Sequence, residues 1–456
     1  YIIVWTILGL YLLYFMTFKT PTMQAYIGQR LAKLTAQTLG TSVDVGRADY
    51  SFPNRLTLYD VIIRDQQGTD MLKARRLSAR IDLLPLTEGR ISIATAQLFS
   101  TLAKLYQHDS LSKPNFQFVL DSLASKDTTE SKPIDLHINS LIMRHSSVSY
   151  DRYDLPPTPG ELNMNHLHLT DISAHVILKT LTPDSLNANI KRLTFKEHSG
   201  LNIEELSMKF EGGRQYSLLQ DFVLKMPDTN IRLGDCYASY RFRGNHFVMP
   251  SLNYRGSVEP STITPSDLAC LLPSLKTFNT TLSLESTFIG ESEDLEVTSL
   301  YVSSTTGDID IDADGWVKNM TQDAPNWFAD INDLRLSDKT VNFISENLNG
   351  QHVEVPDIVT RLGNIHLKGF AKGTGLRDIV TNSQLNTDAG NISCSLVMNG
   401  QHEFNGKVHA ENIDLRHLLA NDHFGRISTQ IMLSGTLPGN GQAPAIEADG
   451  QVSMFD

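Results

Sequence analysis

The stretch His166-Leu-His-Leu-Thr-Asp-Ile-Ser-Ala-His-Val-Ile-Leu178 decides the fold. Its apolar side chains fall at Leu167 and Leu169, then at Ile172, Ala174, Val176 and Leu178. That period of two gives a strand one apolar and one polar face. The same alternation runs outward in both directions: Leu56 and Leu58; Ile134, Leu136 and Ile138; Leu206, Met208 and Phe210; Ile309, Ile311 and Ala313; Ile365 and Leu367. Turn signals such as Gln67-Gly68, Glu211-Gly212-Gly213, Arg243-Gly244-Asn245 and Asn399-Gly400 separate these runs, and Pro and Gly stay mostly between them, where they leave a hydrogen-bonded ladder intact. The chain beyond residue 40 therefore reads as nearly all β, built from strand, turn and strand.

The first forty residues read differently. Residues 1–18 are uncharged and apolar, and about 27 Å of helix nearly matches a bilayer core of about 30 Å. The run exceeds the apolar stretch of a secretory signal and leads into Phe18-Lys19-Thr20-Pro21 without a small-residue cleavage site. The expectation is an uncleaved transmembrane anchor, with Trp5, Leu8, Leu12 and Phe15 in lipid. The chain opens inside this span, so no preceding Lys or Arg sets its orientation. Residues 21–39 follow as an amphipathic helix, with Ile27, Leu31 and Leu34 at helical spacing and Gly40 as the stop. The remaining divisions are an N-terminal β region with helical inserts over 41–125, a polar loop at 126–133, and a repeating β region over 134–456. Inserts are expected at Asn115–Ala124 and Ser337–Leu348, and Asp267-Leu-Ala-Cys-Leu-Leu272 is repeated as Asp414-Leu-Arg-His-Leu-Leu419, each read as a short helix with Asp at its N-terminus.

Composition narrows the function. A net charge of −12 argues against a nucleic-acid partner, which needs basic stripes facing phosphate. The densest basic stretch, Lys73-Ala-Arg-Arg-Leu-Ser-Ala-Arg80, reads as a solvated strand face, with contact to anionic headgroups as its functional alternative. Cys236, Cys270 and Cys394 are scattered and share no metal-type spacing. Asp310-x-Asp312-x-Asp314-Gly315 copies the opening of a calcium loop, but Thr321 stands where the bidentate carboxylate belongs, so a strand with Asp on its solvent side is expected. His166 and His168 share a strand face without a third ligand and read as solvent-facing. Neither a Gly-x-Ser-x-Gly elbow nor a phosphate-binding Gly-rich loop occurs. The sequence points to no catalytic residues, no metal and no cofactor, and to a protein that is not an enzyme. An anchored carbohydrate-active enzyme would need aromatic platforms, and there are only three tryptophans.

Paired sandwiches would show boundaries roughly every 100 residues, whereas here the hairpin rhythm runs on for about thirty strands at 12 to 14 residues each. Such a sheet is expected to be elongated and to curl into a trough lined by its apolar face. The lipid-facing candidates are Ile134, Leu136, Ile138, Leu167, Leu169, Ile172, Val176, Leu206, Met208, Phe210, Ile309, Ile311, Ile365 and Leu367. A closed core remains the alternative, because sandwich strands alternate in the same way.

The anchor, the following helix, Thr41-Ser-Val-Asp-Val-Gly46, Asn54-Arg-Leu-Thr-Leu-Tyr-Asp-Val61, the Ile134-Asp-Leu-His-Ile-Asn-Ser-Leu141 stretch and the repeated Asp-Leu-x-x-Leu-Leu units together resemble the N-terminal part of a TamB protein, one of the AsmA-like β-groove proteins. The resemblance covers essentially the whole chain and rests on pattern and order rather than on an invariant signature. It implies a mainly β fold: an N-terminal transmembrane helix and amphipathic cap helix, then an elongated, curled antiparallel β-sheet groove with short helical inserts. It also implies single-pass placement in the inner membrane with the β region in the periplasm, and phospholipid and the bilayer as partners. The implied role is movement of phospholipid toward the outer membrane or assembly of outer-membrane proteins with a TamA-type barrel. The C-terminal domain through which family members engage the outer membrane has no counterpart in the sequence, so Asp456 is expected to fall inside the rod. A closed scaffold that binds other envelope proteins is the alternative function.

Overall fold

Residues from Ile2 to Phe18 are uncharged and, apart from Thr6 and Thr17, largely apolar, which leaves helix α1 (Ile2–Phe18) without a polar face. Val4, Trp5, Leu8, Leu12 and Phe15 are all exposed. Its 17 residues reach about 26 Å, and among the described residues no helix is long and apolar enough to cross a membrane. The span expected over 1–18 therefore does not follow from the fold. Pro21 opens α2 (Pro21–Leu39), and Gly40 closes it in the left-handed conformation, φ 63°. That geometry carries little penalty without a Cβ.

A computed structural model describes residues 1–51, 54–82, 92–123, 137–182, 185–244, 246–342, 360–375, 378–436 and 445–455. Strand makes up 61% of the chain and helix 14%, which establishes the mainly β class read from the alternation. The chain divides into two units. The first comprises residues 1–211, 223–227 and 267–276; the second comprises 212–222, 228–266 and 277–456.

In the first unit the strands are β1 (Val43–Ser51), β2 (Arg55–Arg64), β3 (Asp70–Asp82), β4 (Ser92–Gln107), β5 (His137–Ile138), β6 (Ser140–Arg152), β7 (His166–Thr182), β8 (Ser185–Glu197) and β9 (Asn202–Gly212). Antiparallel pairing links β1 to β2, β2 to β3, β3 to β4, β6 to β7 and β7 to β8. The expected all-antiparallel order is broken once, because β4 pairs in parallel with both β5 and β6. A parallel join cannot be made by a tight turn and needs a long crossover, which accounts for α3 (Gln117–Leu123) where an insert was read at Asn115–Ala124. The 126–133 loop lies outside the described residues.

Helix α2 packs across the β1 edge. Ala32, Val43, Val45, Val61 and Ala74 form a buried cluster, with Ala36, Leu39, Leu58, Ile63, Leu72 and Leu77 against it. The helix thus closes one end of the apolar face, as a cap. A phase change then repeats from strand to strand. In β2 the side chains facing the cluster are Leu58 and Val61, with Tyr59 and Asp60 between them. Asp60, Ser100, His145 and Asp171 take φ of 49° to 53° in β2, β4, β6 and β7. Two consecutive residues therefore turn away from the apolar side, at 59–60, 99–100, 144–145 and 170–171, and that side keeps its greasy residues both before and after the step. Asp, Ser and His tolerate the left-handed region better than β-branched residues do.

The second unit contains residues 216–222 of β10 (Tyr216–Lys225), then β11 (Asn230–Leu233), β12 (Cys236–Ser239), β13 (Phe242–Arg243), β14 (His246–Phe247), β15 (Asn253–Ile263), β16 (Leu282–Glu291), β17 (Asp294–Ser304), β18 (Ile309–Lys318), β19 (Asn326–Leu336), β20 (Ile365–Thr374), β21 (Asp378–Thr387), β22 (Gly390–Met398), β23 (Glu403–Asp414), β24 (Arg426–Thr436) and β25 (Ala445–Phe455). From β15 to β25 each strand pairs antiparallel with the next in sequence. Residues 338–342 are helical, the described part of the insert read at Ser337–Leu348.

The two Asp-Leu-x-x-Leu-Leu copies fold differently. At the second, Asp414 caps α4 (Leu415–Leu419) by accepting the His417 amide at 3.3 Å, and Leu418 joins Ala389, Ala410 and Ile413 in a buried cluster. At the first, 3-10 turns at Pro265–Leu268 and Pro273–Leu275 replace the expected helix, and Leu271 and Leu272 are exposed. Pro273 disfavours the helical conformation at Leu272 and leaves too few residues for α-helical turns.

Candidate functional site

Register turns the alternating strands into continuous surfaces. In the second unit, Ile311 pairs with Leu334, Leu334 with Leu367, Leu367 with Leu385, and Leu385 with Ile392. Three further rows, beginning at Ala313, Gly315 and Val317, cross β18 to β24 in step with this one, another beginning at Ile309 runs to Gly390 in β22, and no row contains a charged residue. The other face carries the charges, including Asp310, Asp312, Asp314, Lys318 and Lys372. In the first unit, Leu58, Leu77, Leu98, Met143, Ala174 and Leu193 lie in register, as do Leu56, Ala79, Ala96, Leu141, Val176 and Ile190.

These side chains are shielded without being sealed. Leu167, Leu169, Val176, Leu206, Met208, Phe210, Ile311, Ile365 and Leu367 are half-buried, while Ile172 and Ile309 are buried at 5% and 7% exposure. Sandwich interiors pack at the density of organic crystals and leave little side-chain surface accessible. Among the described residues, buried clusters of that kind lie beneath α2 and beneath α4. Ile134 and Leu136 lie outside the described residues, as does the side chain of Ile138, which belongs to β5. Sequence reading did not list Leu385, Ile392 or Leu396 as groove candidates, although Ile392-x-Cys394-x-Leu396-x-Met398 alternates as regularly as any strand that was listed.

Polar groups beside this face are held in structural roles. His166 and His168 are not the free, solvent-facing pair expected, since both bond Asp151 Oδ1, at 3.0 Å through Nδ1 and at 2.9 Å through Nε2. His166 Nε2 also lies 2.8 Å from the Leu155 carbonyl. Carboxylate and carbonyl oxygens only accept, so this arrangement is fully satisfied when both ring nitrogens of His166 carry a proton, which favours the charged ring. The hydrogen bond to Asp151 correspondingly raises the His166 pKa above the ordinary histidine value. The Asp310 to Gly315 motif lies within β18, as the strand reading required, and Asn332 Nδ2 donates to Asp312 and Asp314. On the charged face Asp333 accepts from His366 at 2.5 Å and Lys368 at 3.2 Å and pairs with Arg335 at 2.8 Å. The His366 hydrogen bond in particular pulls the Asp333 pKa down to about 2.

Cys270 is buried, and burial raises its thiol pKa, the opposite of what a nucleophile needs. Among the described residues no three His, Cys, Asp or Glu side chains are placed to hold a metal ion. A hollow of about 770 Å³ on the charged face of β12 to β18 is lined by Arg255, Glu291, Glu296, Trp316 and Lys318. Comparison with family models, with curated proteins and with solved structures returned no match. The charge-free face is thus the feature on which a function can be argued.

Proposed function

We propose that this protein carries phospholipid acyl chains along the charge-free face of its sheets, as an inner-membrane-anchored periplasmic conduit leading toward the outer membrane. The observation that carries this reading is the set of registered rows over β18 to β24 that contain no charge and whose side chains are mostly half-exposed, with Ile309, Phe404, Ala410 and Thr429 buried among them. Moving an acyl chain of about sixteen carbons through water costs on the order of 12 kcal/mol at about 0.8 kcal/mol per methylene. A continuous apolar rail removes most of that cost. Repeated weak contacts, rather than one tight pocket, let a ligand leave as readily as it enters.

The TamB resemblance supports the same direction and extends it to outer-membrane protein assembly with a TamA-type barrel. Helix α1, apolar on every side and exposed, is read as the membrane anchor, since a helix greasy all round is ordinarily surrounded by core or by lipid. Its hydrophobic length, a few ångströms short, is accommodated by local bilayer thinning. The test is photo-crosslinking in cells from benzophenone placed at Leu169 or Leu367. Adducts with phospholipid are expected at both positions. Protein adducts alone would replace the conduit by the sealed scaffold that binds other envelope proteins.

A further inference from the structure

The side of the first unit facing away from its apolar rows carries an ordered line of arginines. Arg47 pairs across strands with Tyr59, Tyr59 with Arg76, Arg76 with Phe99, and Phe99 with Arg144. Cation and aromatic ring thus alternate over β1, β2, β3, β4 and β6, a line of about 19 Å at roughly 4.8 Å per strand. The Arg47 guanidinium lies 4.3 Å from the centre of the Tyr59 ring, and that of Arg76 lies 3.7 Å from Phe99. Beyond the buried Thr57–Ser78 pair, Arg55 and Arg80 form a further cross-strand pair on this side, and Arg75 is exposed beside Arg76.

Charge on this surface is unbalanced. Arg55, Arg75, Arg80 and Arg144 have no acidic partner among the described residues. The neighbouring acids are mostly engaged: Asp44 and Asp70 pair with Arg64, Asp70 also with Lys73, and Asp49 with Lys19. Among the residues whose side chains are described, Asp60 is a further carboxylate there. On a chain of net charge −12 this segregation is local. Stacking against Tyr59 and Phe99 holds two of the guanidinium groups in place before any ligand arrives.

The surface also has a fixed relation to the apolar helix. Lys19 is the C-cap of α1, and its ammonium meets Asp49 at 2.6 Å, two residues along β1 from Arg47. Gln24 of α2 donates to the same carboxylate. The end of α1 is therefore tied to the edge of the arginine surface. We propose that this surface docks on the anionic phospholipid headgroups of the bilayer that holds α1. Guanidinium suits the purpose, because its planar fork donates to two phosphate oxygens at once. The proposal rests on the anchor part of the reading above and is independent of lipid movement along the trough.

The full chain is reconstituted into vesicles of phosphatidylcholine, with or without phosphatidylglycerol, and arginine modification by phenylglyoxal is followed residue by residue. Slower labelling of Arg55, Arg80 and Arg144 by several-fold is expected only with phosphatidylglycerol and is reversed by salt, with exposed Arg243 of the second unit unaffected. Each arginine at an anionic surface strengthens association about fivefold, the equivalent of about 1 kcal/mol. The combined variant Arg55→Gln, Arg80→Gln and Arg144→Gln should therefore weaken docking about a hundredfold and abolish protection of Arg47 and Arg75, with unchanged circular dichroism. Equal labelling in both vesicle types, or equal slowing at Arg243, overturns the proposal. A chain that floats with neither vesicle fails at the anchor, and the proposal fails with it. Lipid adducts from Leu367 are read separately, so loss of the conduit and loss of the docking surface are distinguishable.

Discussion

Replacing Leu367 by Asp separates an open apolar face from a closed core. A fully buried leucine contributes about 1.5–3 kcal/mol, and Leu367 is half-buried between Leu334 and Leu385 in its row. Its removal should cost about 1 kcal/mol. If water reaches the face, the new carboxylate stays hydrated and adds little. The matched control is Ile413→Asp, because Ile413 is 5% exposed within the cluster of Ala389, Ala410 and Leu418. That change loses the whole transfer energy and buries an ionisable group without a partner, for a total of about 4 kcal/mol or more. Urea unfolding followed by tryptophan fluorescence reports on the right region, since Trp316 and Trp327 lie in β18 and β19. A loss of about 1 kcal/mol for Leu367→Asp beside about 4 kcal/mol for Ile413→Asp fits an open face. Equal, large losses would refute the reasoning, because Leu367 would then sit in a sealed interior. The same Leu367→Asp protein should fold and yet give no lipid adduct from a neighbouring crosslinker.

Three further outcomes are expected. Asp333 is held at about 2 against an ordinary 3.8, so its stabilising pairing is present above pH 4 and is lost as pH falls toward 2. Asp333→Asn should melt earlier than the parent at neutral pH and converge with it at pH 2, and a gap unchanged across that range would contradict the assignment. His166 behaves in the opposite sense: its raised pKa gives a contribution complete below the ordinary 6.5 and lost as pH rises through the folded value. His166→Gln should therefore differ most from the parent in melting temperature at mildly acidic pH, and a difference that grows in alkali would count against the charged ring. Gly369 adopts φ +142°, and a Cβ there would collide with the Asn382 carbonyl oxygen. Gly369→Ala should cost about 1–3 kcal/mol through strain and overpacking, and a neutral substitution in urea unfolding would show that the two strands separate freely.

Strand identity was legible in the sequence because alternation is local, and each run from Leu56 to Leu367 carried its own period of two. The end of α2 at Gly40 and the cap at Asp414 were legible for the same reason, since a stop or a cap is set by one residue and its neighbours. Other features depended on partners far along the chain. The parallel join of β4 to β6 has no signature in either strand, and only its long crossover hinted at it. Asp267 and Asp414 head matching motifs, yet the prolines around the first determine a different outcome. The phase steps at Asp60, Ser100, His145 and Asp171 were present as paired outward residues but could be seen to align only once the strands were in register.

From sequence alone came the β class, the apolar first helix and the side of each strand that carries greasy residues. These follow from composition and short-range periodicity, which the unfolded chain already possesses. Tertiary structure alone decided that the apolar sides line up into charge-free rows, that most of their side chains remain half-exposed, that His166 and His168 converge on Asp151, and that arginines from four strands share one surface with the end of α1. The reason is physical: pairing brings together residues tens of positions apart, and neither accessibility nor charge balance exists until that pairing is made.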